Sequence, residues 1–379
     1  MKDTFEEPIY INQPLMPDLD KVTNQMEKIW ESKWLTNNGN VHKALEEELK
    51  KYLNIPNLSL FNNGTLALLL GLKSLDLKGE VITTPFTFPA TVQALDWNGL
   101  TPVFCDIDAK TYNIDTNKIE ELITEKTCAI LAVHVFGNHC EVDTIEKIAK
   151  KYNLRVIYDG AHAFGSYIGD KPIGQYGDIT MFSFHATKLF NTIEGGALVY
   201  NNKLLNRKLS LLKNFGLNGN EEVVLSGLNA KLNEIQAGVG IEGLKLVEEE
   251  RSKRHVIKKV YEEELDKIRG IRIVTNLSGI ECSYQYFVIE IDQDEFGLSR
   301  DFIHEELKKY NIFTRKYFSH LCSEFKWYSE IESSKSDNLP TAHKIAKQVL
   351  AMPYYGQLSL NSVKKICKLI QKIQRENRS

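Results

Sequence analysis

The chain of 379 residues sets 47 Lys and Arg against 50 Asp and Glu, a net charge of -3, with 42% hydrophobic and 26% charged residues. That balance excludes a disordered chain and gives no global field for nucleic acid or an anionic membrane surface, so any anionic ligand must be held locally. The length exceeds one small core and predicts a larger and a smaller domain.

The opening MKDTFEEPIYINQPLMPDLDK has no basic stretch followed by an apolar run. No other stretch nears the roughly 20 apolar residues of a membrane span, so the cytosol is the expected location. Six cysteines are dispersed without a Cys-x-x-Cys pair and read as free thiols. His134, His139 and Cys140 are too short a ligand set to imply a metal.

In chain order, Leu19 to Trp30 and Val41 to Leu53 read as helices joined by the Asn- and Gly-rich turn WLTNNG. A regular alternation follows. Strands are expected at Leu58 to Phe61, Val81 to Thr84, Pro102 to Cys105, Ala129 to Val135 and Arg155 to Tyr158. Helices are expected at Thr65 to Leu75, Ala90 to Trp97 and Val142 to Tyr152. Such alternation builds a mostly parallel sheet covered on both faces, with ligands at the carboxyl ends of its strands. After Ile179 to Phe184 and Gly196 to Tyr200, a long charged helix from Asn233 to Asp266 leads out of the first domain. A strand at Tyr286 to Ile291 and helices at Ser299 to Tyr310, Ala342 to Leu350 and Leu360 to Arg375 form a smaller α/β unit. The expected division is a large domain of residues 1–245, with a helical arm at its start, and a small domain of residues 246–379.

Four segments carry chemistry. Asn62-Asn63-Gly64-Thr65 opens an apolar helix, where free amides, a hydroxyl and the positive end of the dipole suit a phosphate; the plain alternative is an ordinary helix cap. Asp159 closes an apolar strand and is followed by Gly160-Ala161-His162. A buried carboxylate there needs a cationic partner or solvent, such as a protonated ring nitrogen, unless it caps the next helix. Ser183 stands five residues ahead of Lys188 in a polar turn, followed by Glu194-Gly195-Gly196. The hydroxyl can hold a phosphate while the amine forms a Schiff base. A solvated surface lysine would leave the serine, the two glycines and the upstream acid unexplained. Gly227 to Ala237 is a polar run that opens a helix.

NNGTLAL, TTPFTFPAT, PVFCDID, VHVFGN, YDGAHAFG, SFHATK, EGGA and GLNAKLNEIQAG follow one another along the chain. In their order and spacing the sequence resembles the DegT/DnrJ family of sugar aminotransferases, from the Trp34 turn to about Pro353. The resemblance implies the fold of the aspartate aminotransferase superfamily, type I: a mostly parallel seven-stranded sheet in a large α/β domain, plus a smaller C-terminal α/β domain. It implies pyridoxal 5'-phosphate as cofactor, joined to Lys188, with Asp159 at the pyridine nitrogen and His162 near the phenolic oxygen. Phe88 would stack on the ring, and Gly64, Thr65 and Ser183 would bind the phosphate. Asn233 would reach that phosphate from a neighbouring subunit, which implies a homodimer with shared sites.

Lys188 stands where family members that remove a sugar hydroxyl carry histidine, which favours amine transfer. L-glutamate is the implied amine donor and a nucleotide keto-sugar the acceptor. The WLTNNG turn, the TTPFTFPATVQALDWNG stretch and Lys231 look most like the enzymes that form dTDP-4-amino-4,6-dideoxyglucose, a precursor of bacterial surface glycans such as the lipopolysaccharide O-antigen. Thr36, Asn37, Lys231, Arg315, Tyr317 and His320 are the implied sugar or nucleotide contacts, although the usual proline of the 315–320 segment is missing.

Three rivals remain at this point. A 3-keto sugar, or a sugar on another nucleotide carrier, would be aminated by the same chemistry. A Rossmann dehydrogenase would need a Gly-x-Gly-x-x-Gly turn that the first strand lacks. A non-catalytic regulator on this fold would need a DNA-binding module or basic patch that is not evident.

Overall fold

The computed structural model describes residues 4–219, 222–274 and 280–377. Helices α1 (Leu19–Ser32) and α2 (Asn40–Tyr52) precede strands and helices that alternate as β1 (Leu58–Phe61), α3 (Gly64–Ser74), β2 (Glu80–Thr83), α4 (Pro89–Asp96), β3 (Thr101–Phe104), β4 (Thr127–Val133), α5 (Val142–Tyr152), β5 (Arg155–Asp159), β6 (Ile179–Ser183) and β7 (Gly196–Tyr200). The seven strands form one sheet in the order β1-β7-β6-β5-β4-β2-β3. Only β7 runs antiparallel to its neighbours. This is the mostly parallel sheet of the type I fold that the resemblance implied.

The strands are short apolar runs buried on both faces, as a sheet covered by helices requires. One core lies on the face of α2 and α5 and another on the face of α3. The topology brings Phe61, Asp159 and Ser183 to one edge as the last residues of β1, β5 and β6, and Gly196 enters there as the first of β7, paired with both Phe61 and Ser183. A Cβ on Gly196 would stand 2.6 Å from the Gly64 nitrogen, so glycine is needed for β7 to pass under the start of α3.

Helices α6 (Leu205–Leu212) and α7 (Glu234–Leu244) follow. The single long helix expected from Asn233 to Asp266 is two, because α7 ends at Leu244 and α8 (Val247–Leu265) starts after Lys245-Leu246. The two have different surroundings. Helix α7 packs on α1 and α2 through Gly238 and Gly240, where a Cβ would meet Gln25 at 3.3 Å and Leu45 at 2.9 Å. Helix α8 packs on the C-terminal helix.

The C-terminal part contains β8 (Ile271–Ile273), β9 (Phe287–Ile291), α9 (Arg300–Lys308), α10 (Pro340–Gln348), β10 (Val349–Met352) and α11 (Leu360–Asn377). Its antiparallel sheet runs β8-β9-β10 around a separate apolar core. Expected as helix to Leu350, the chain turns to strand at Val349, where pairing with β9 decides the state of an apolar run that suits either period. The N-terminal residues cross to this core: Phe5 and Ile9 pack on it, and Ile9 bridges to Ile312.

Candidate active site

A cavity of about 250 Å³ opens at the carboxyl edge of the large sheet. Its lining includes Gly64, Thr65, Phe88, Asp159, His162, Ser183 and Lys188, together with Arg315 and Tyr317 from the C-terminal part. Seven of the eight cofactor-binding residues expected from sequence are therefore neighbours in space.

At one end, α3 starts at Gly64 with Asn63 as its cap, the Asn63 side chain accepting the Leu66 N–H at 2.8 Å. The earlier N–H groups of the helix are free to meet an anion. A Cβ on Gly64 would stand 3.0 Å from Ser183 Cβ and 3.2 Å from its Oγ, so the glycine brings the serine hydroxyl against the helix terminus. That gap has the donors and the space to take a phosphate.

At the other end, Asp159 is buried. Its Oδ2 accepts the Thr91 hydroxyl at 2.7 Å and its Oδ1 accepts the Ala161 N–H at 3.0 Å. Burial pushes its carboxyl up, opposed by those two bonds and the Lys188 charge. Among the described residues it forms no direct ion pair, Lys188 acting on it only through its charge, which leaves the carboxyl able to take a cationic ligand group.

Lys188 sits on a turn whose N–H returns to the His185 carbonyl at 2.8 Å. Burial holds its ammonium below the usual lysine range, partly offset by Tyr317 and Asp159. A lysine so placed has more neutral amine for attack on a carbonyl. His162 is held neutral by burial and by Lys188. Its Nδ1 accepts the Phe136 N–H at 3.3 Å, which assigns the ring hydrogen to Nε2. Phe88 lies at the cavity rim, 53% exposed.

Asn233 caps α7, its side chain accepting the Gln236 N–H at 2.9 Å, and lies outside the cavity of its own chain. Thr36, Asn37, Lys231 and His320 also lie outside it. Lys231 rests over the Phe215 ring at 4.8 Å, and the Asn37 carbonyl accepts the Trp34 indole N–H at 2.8 Å. Sequence reasoning missed Thr91, Ser283, Gln285 and Tyr286. Thr91 is inside TTPFTFPAT and Tyr286 opens an expected strand, but nothing local marks either as a site residue.

The DegT/DnrJ/EryC1/StrS aminotransferase family model matches residues 18–371. The chain belongs to the DegT/DnrJ/EryC1/StrS aminotransferase family. Within it, the chain is 44% identical over 366 residues to the dTDP-4-amino-4,6-dideoxy-D-glucose transaminase of Escherichia coli, covering 96% of this chain and 98% of that protein. It is 42% identical to the enzyme of the same name from Shigella dysenteriae, covering 97% and 100%. Among solved structures, DesI in the presence of its TDP-sugar product superposes with a TM-score of 0.94 at 31% identity, covering 99% of this chain and 95% of that one. This member of the family is an aminotransferase acting on a nucleotide sugar, and the cavity fits pyridoxal 5'-phosphate, the family's cofactor, with an anion cradle, an amine and an unmatched buried acid. Among the described residues no helix is long and apolar enough to cross a membrane.

Proposed function

We propose that the enzyme transfers the amino group of L-glutamate to dTDP-4-keto-6-deoxy-D-glucose, forming dTDP-4-amino-4,6-dideoxy-D-glucose, with pyridoxal 5'-phosphate anchored at Lys188. The observation that carries the site assignment is the pair formed by Lys188, a desolvated amine, and Asp159, a buried carboxylate without an ion-pair partner among the described residues, on one cavity. The 44% identity over nearly the whole chain supports the 4-keto sugar and the dTDP carrier.

When bound, the cofactor supplies a carbonyl carbon that takes up the amino group and a ring that accepts the electrons of the broken C–H bond. Lys188 Nζ would be the covalent anchor and, when free, the amine that would carry a proton between the donor carbon and the carbonyl carbon. Asp159 would hold a proton on the ring nitrogen, and the Thr91 and Ala161 hydrogen bonds oppose the upward shift that burial gives its carboxyl. His162 donates from Nε2 toward the ring oxygen. Phe88 covers one ring face, and Gly64, Thr65 and Ser183 hold the phosphate. Arg315 and Tyr317 face the substrate from the C-terminal side.

The working form in this reading is a homodimer in which Asn233 completes the partner's phosphate site. Exposed apolar side chains, Trp34, Leu35, Phe215 and Leu228, stand near Asn233 and support a covered surface there. The separate apolar core of the C-terminal part supports a division near residue 245, bridged by a further core in which Phe86, Phe104 and Phe136 pack with Val288, Phe318 and Ala351, and by Phe5 and Ile9. The enzyme is placed in the cytosol, where six free cysteines stay reduced. The test is incubation with L-glutamate and either the 4-keto or the 3-keto isomer of the dTDP-sugar, with the amine position fixed by NMR. Amination of the 3-keto isomer alone would overturn the substrate assignment.

A further inference from the structure

We propose that Gln285 is a positioning residue for Lys188, tying the amine to the C-terminal part of the chain; the inference rests on Lys188 being the cofactor's anchor. The turn that carries Lys188 satisfies the lysine's own N–H but leaves the Leu189 N–H and the Thr187 carbonyl to find partners elsewhere. One side-chain amide meets both, and the Thr187 carbonyl accepts a second hydrogen from Asn12 Nδ2 at 3.1 Å, so the Leu189 N–H is the group that depends on Gln285. Gln285 Oε1 accepts the Leu189 N–H at 2.6 Å, and Gln285 Nε2 donates to the Thr187 carbonyl at 3.0 Å. Since one group must accept and the other donate, only one orientation of the amide works. Gln285 is 4% exposed, so water does not substitute freely.

The residues around Gln285 extend the grip. Ser283 Oγ donates to the His162 carbonyl at 2.5 Å and accepts the Gln285 N–H at 3.2 Å. A Cβ on Gly137 would stand 2.6 Å from that hydroxyl oxygen, so the serine is confined from the other side. Tyr286 lies edge-on to His162 at 4.9 Å, with Lys188 Nζ 5.7 Å from its ring centre. Three of four consecutive residues thus hold the loops of His162 and Lys188, and the next residue, Phe287, starts β9 of the C-terminal sheet. A shift of β9 is passed to Lys188 through the Gln285 amide.

The experiment uses full-length enzyme carrying Gln285→Leu, which removes both bonds at similar size, and Gln285→Glu, which keeps the acceptor and loses the donor. Three quantities are read: kcat against KM, the pH midpoint of the visible band of the lysine-bound cofactor, and hydrogen exchange at Leu189 in cofactor-free protein. Gln285→Leu is expected to lower kcat about ten- to a hundredfold with KM for the sugar within about threefold. It should also move the band's midpoint and speed Leu189 exchange. Wild-type kcat, midpoint and exchange in that variant would overturn the proposal. If Gln285→Leu does not fold, Gln285→Glu decides by the same readouts, unchanged values again overturning it. Absence of the band in wild-type enzyme would instead remove Lys188 as anchor, a failure distinct from a normal band that Gln285 does not influence.

Discussion

Thr91 donates its hydroxyl hydrogen to Asp159 at 2.7 Å, joining the first turn of α4 to the acid that closes β5. The Thr91 oxygen also lies 2.8 Å from the Thr87 hydroxyl. Because the single Thr91 hydrogen goes to the carboxylate, Thr87 must donate to Thr91, and the three side chains form a directed chain ending on Asp159. All three are buried. The threonines of TTPFTFPAT therefore serve the acid as well as the fold.

Replacing Thr91 with valine keeps the shape and removes the hydroxyl. Burial already raises the Asp159 pKa and the Thr91 bond lowers it, so the variant's carboxyl moves further up. The acid limb of kcat is expected to shift to higher pH. A hydrogen bond to a charged group is worth about 1.5–3 kcal/mol. If that is lost where the ring proton is held, kcat falls roughly tenfold to a hundredfold. A pH–rate profile with an unmoved acid limb would show that Thr91 does not sustain the charge.

Gly39 lies against Glu234 so closely that a Cβ would stand 2.4 Å from the carboxyl carbon, although its backbone is extended and strain-free. That carboxylate accepts the Val41 and His42 N–H groups, each at 3.0 Å, and so caps α2 from the start of α7. Gly39→Ala should displace the carboxylate, leave the helix amides unpaired and cost about 1–3 kcal/mol. Denaturant unfolding measures it. A midpoint equal to wild type would mean that Glu234 can move aside without loss.

What the sequence makes legible is local. β1, β7 and α5 fall within the residues expected because each is an apolar or periodic run closed by Asn, Gly or polar residues. Gly64, Ser183 and Lys188 are legible because their turns immediately follow such runs. Thr91 and Gln285 are not, since their partners lie 68 and 96 positions away and a lone Thr or Gln in an apolar context has many uses. Helix α6, at Leu205–Leu212, was not expected, and neither was the strand state of β10, which depends on its neighbour β9.

Buried histidines, His42, His134 and His139 together with His162, set a pH dependence of stability. Burial, aided by Lys213 and Lys43, pulls His42 down to about 3; burial alone pulls His139 to about 4 and, with His139, holds His134 well below the ordinary value. Both His42 ring nitrogens lack a hydrogen-bond partner. The unfolded chain binds protons at these rings below pH 6.5 while the folded chain does not, so stability is full above 6.5 and falls as pH drops from 6.5 toward 4. Each such histidine contributes a slope of about 1.4 kcal/mol per pH unit well below its unfolded pKa. His42→Leu should flatten the unfolding free energy between pH 6 and 4 by about that slope. An unchanged slope would show that His42 is already protonated in the folded chain.

Asn233 and Lys188 lie in the same polypeptide, but only Lys188 lines its cavity. Asn233 is held at the helix start by its reciprocal bonds with Gln236, whose own amide donates to the Glu194 carbonyl at 2.7 Å, so a swing of the asparagine side chain would give up that cap. Under the proposed dimer, the cofactor it serves is the partner's. Lys188→Ala should abolish transfer while retaining cofactor through Gly64, Thr65 and Ser183. Asn233→Leu should weaken retention of the phosphate and leave little activity. Mixed under conditions of verified subunit exchange, the two inactive proteins would form heterodimers in which one site carries Lys188 from one chain and Asn233 from the other, both intact. Activity should recover to about a quarter of wild type, because half of random dimers are mixed and each mixed dimer has one complete site. Recovery in the steady-state assay supports shared sites; verified exchange with no recovery would confine each site to a single chain and leave Asn233 with its capping role alone.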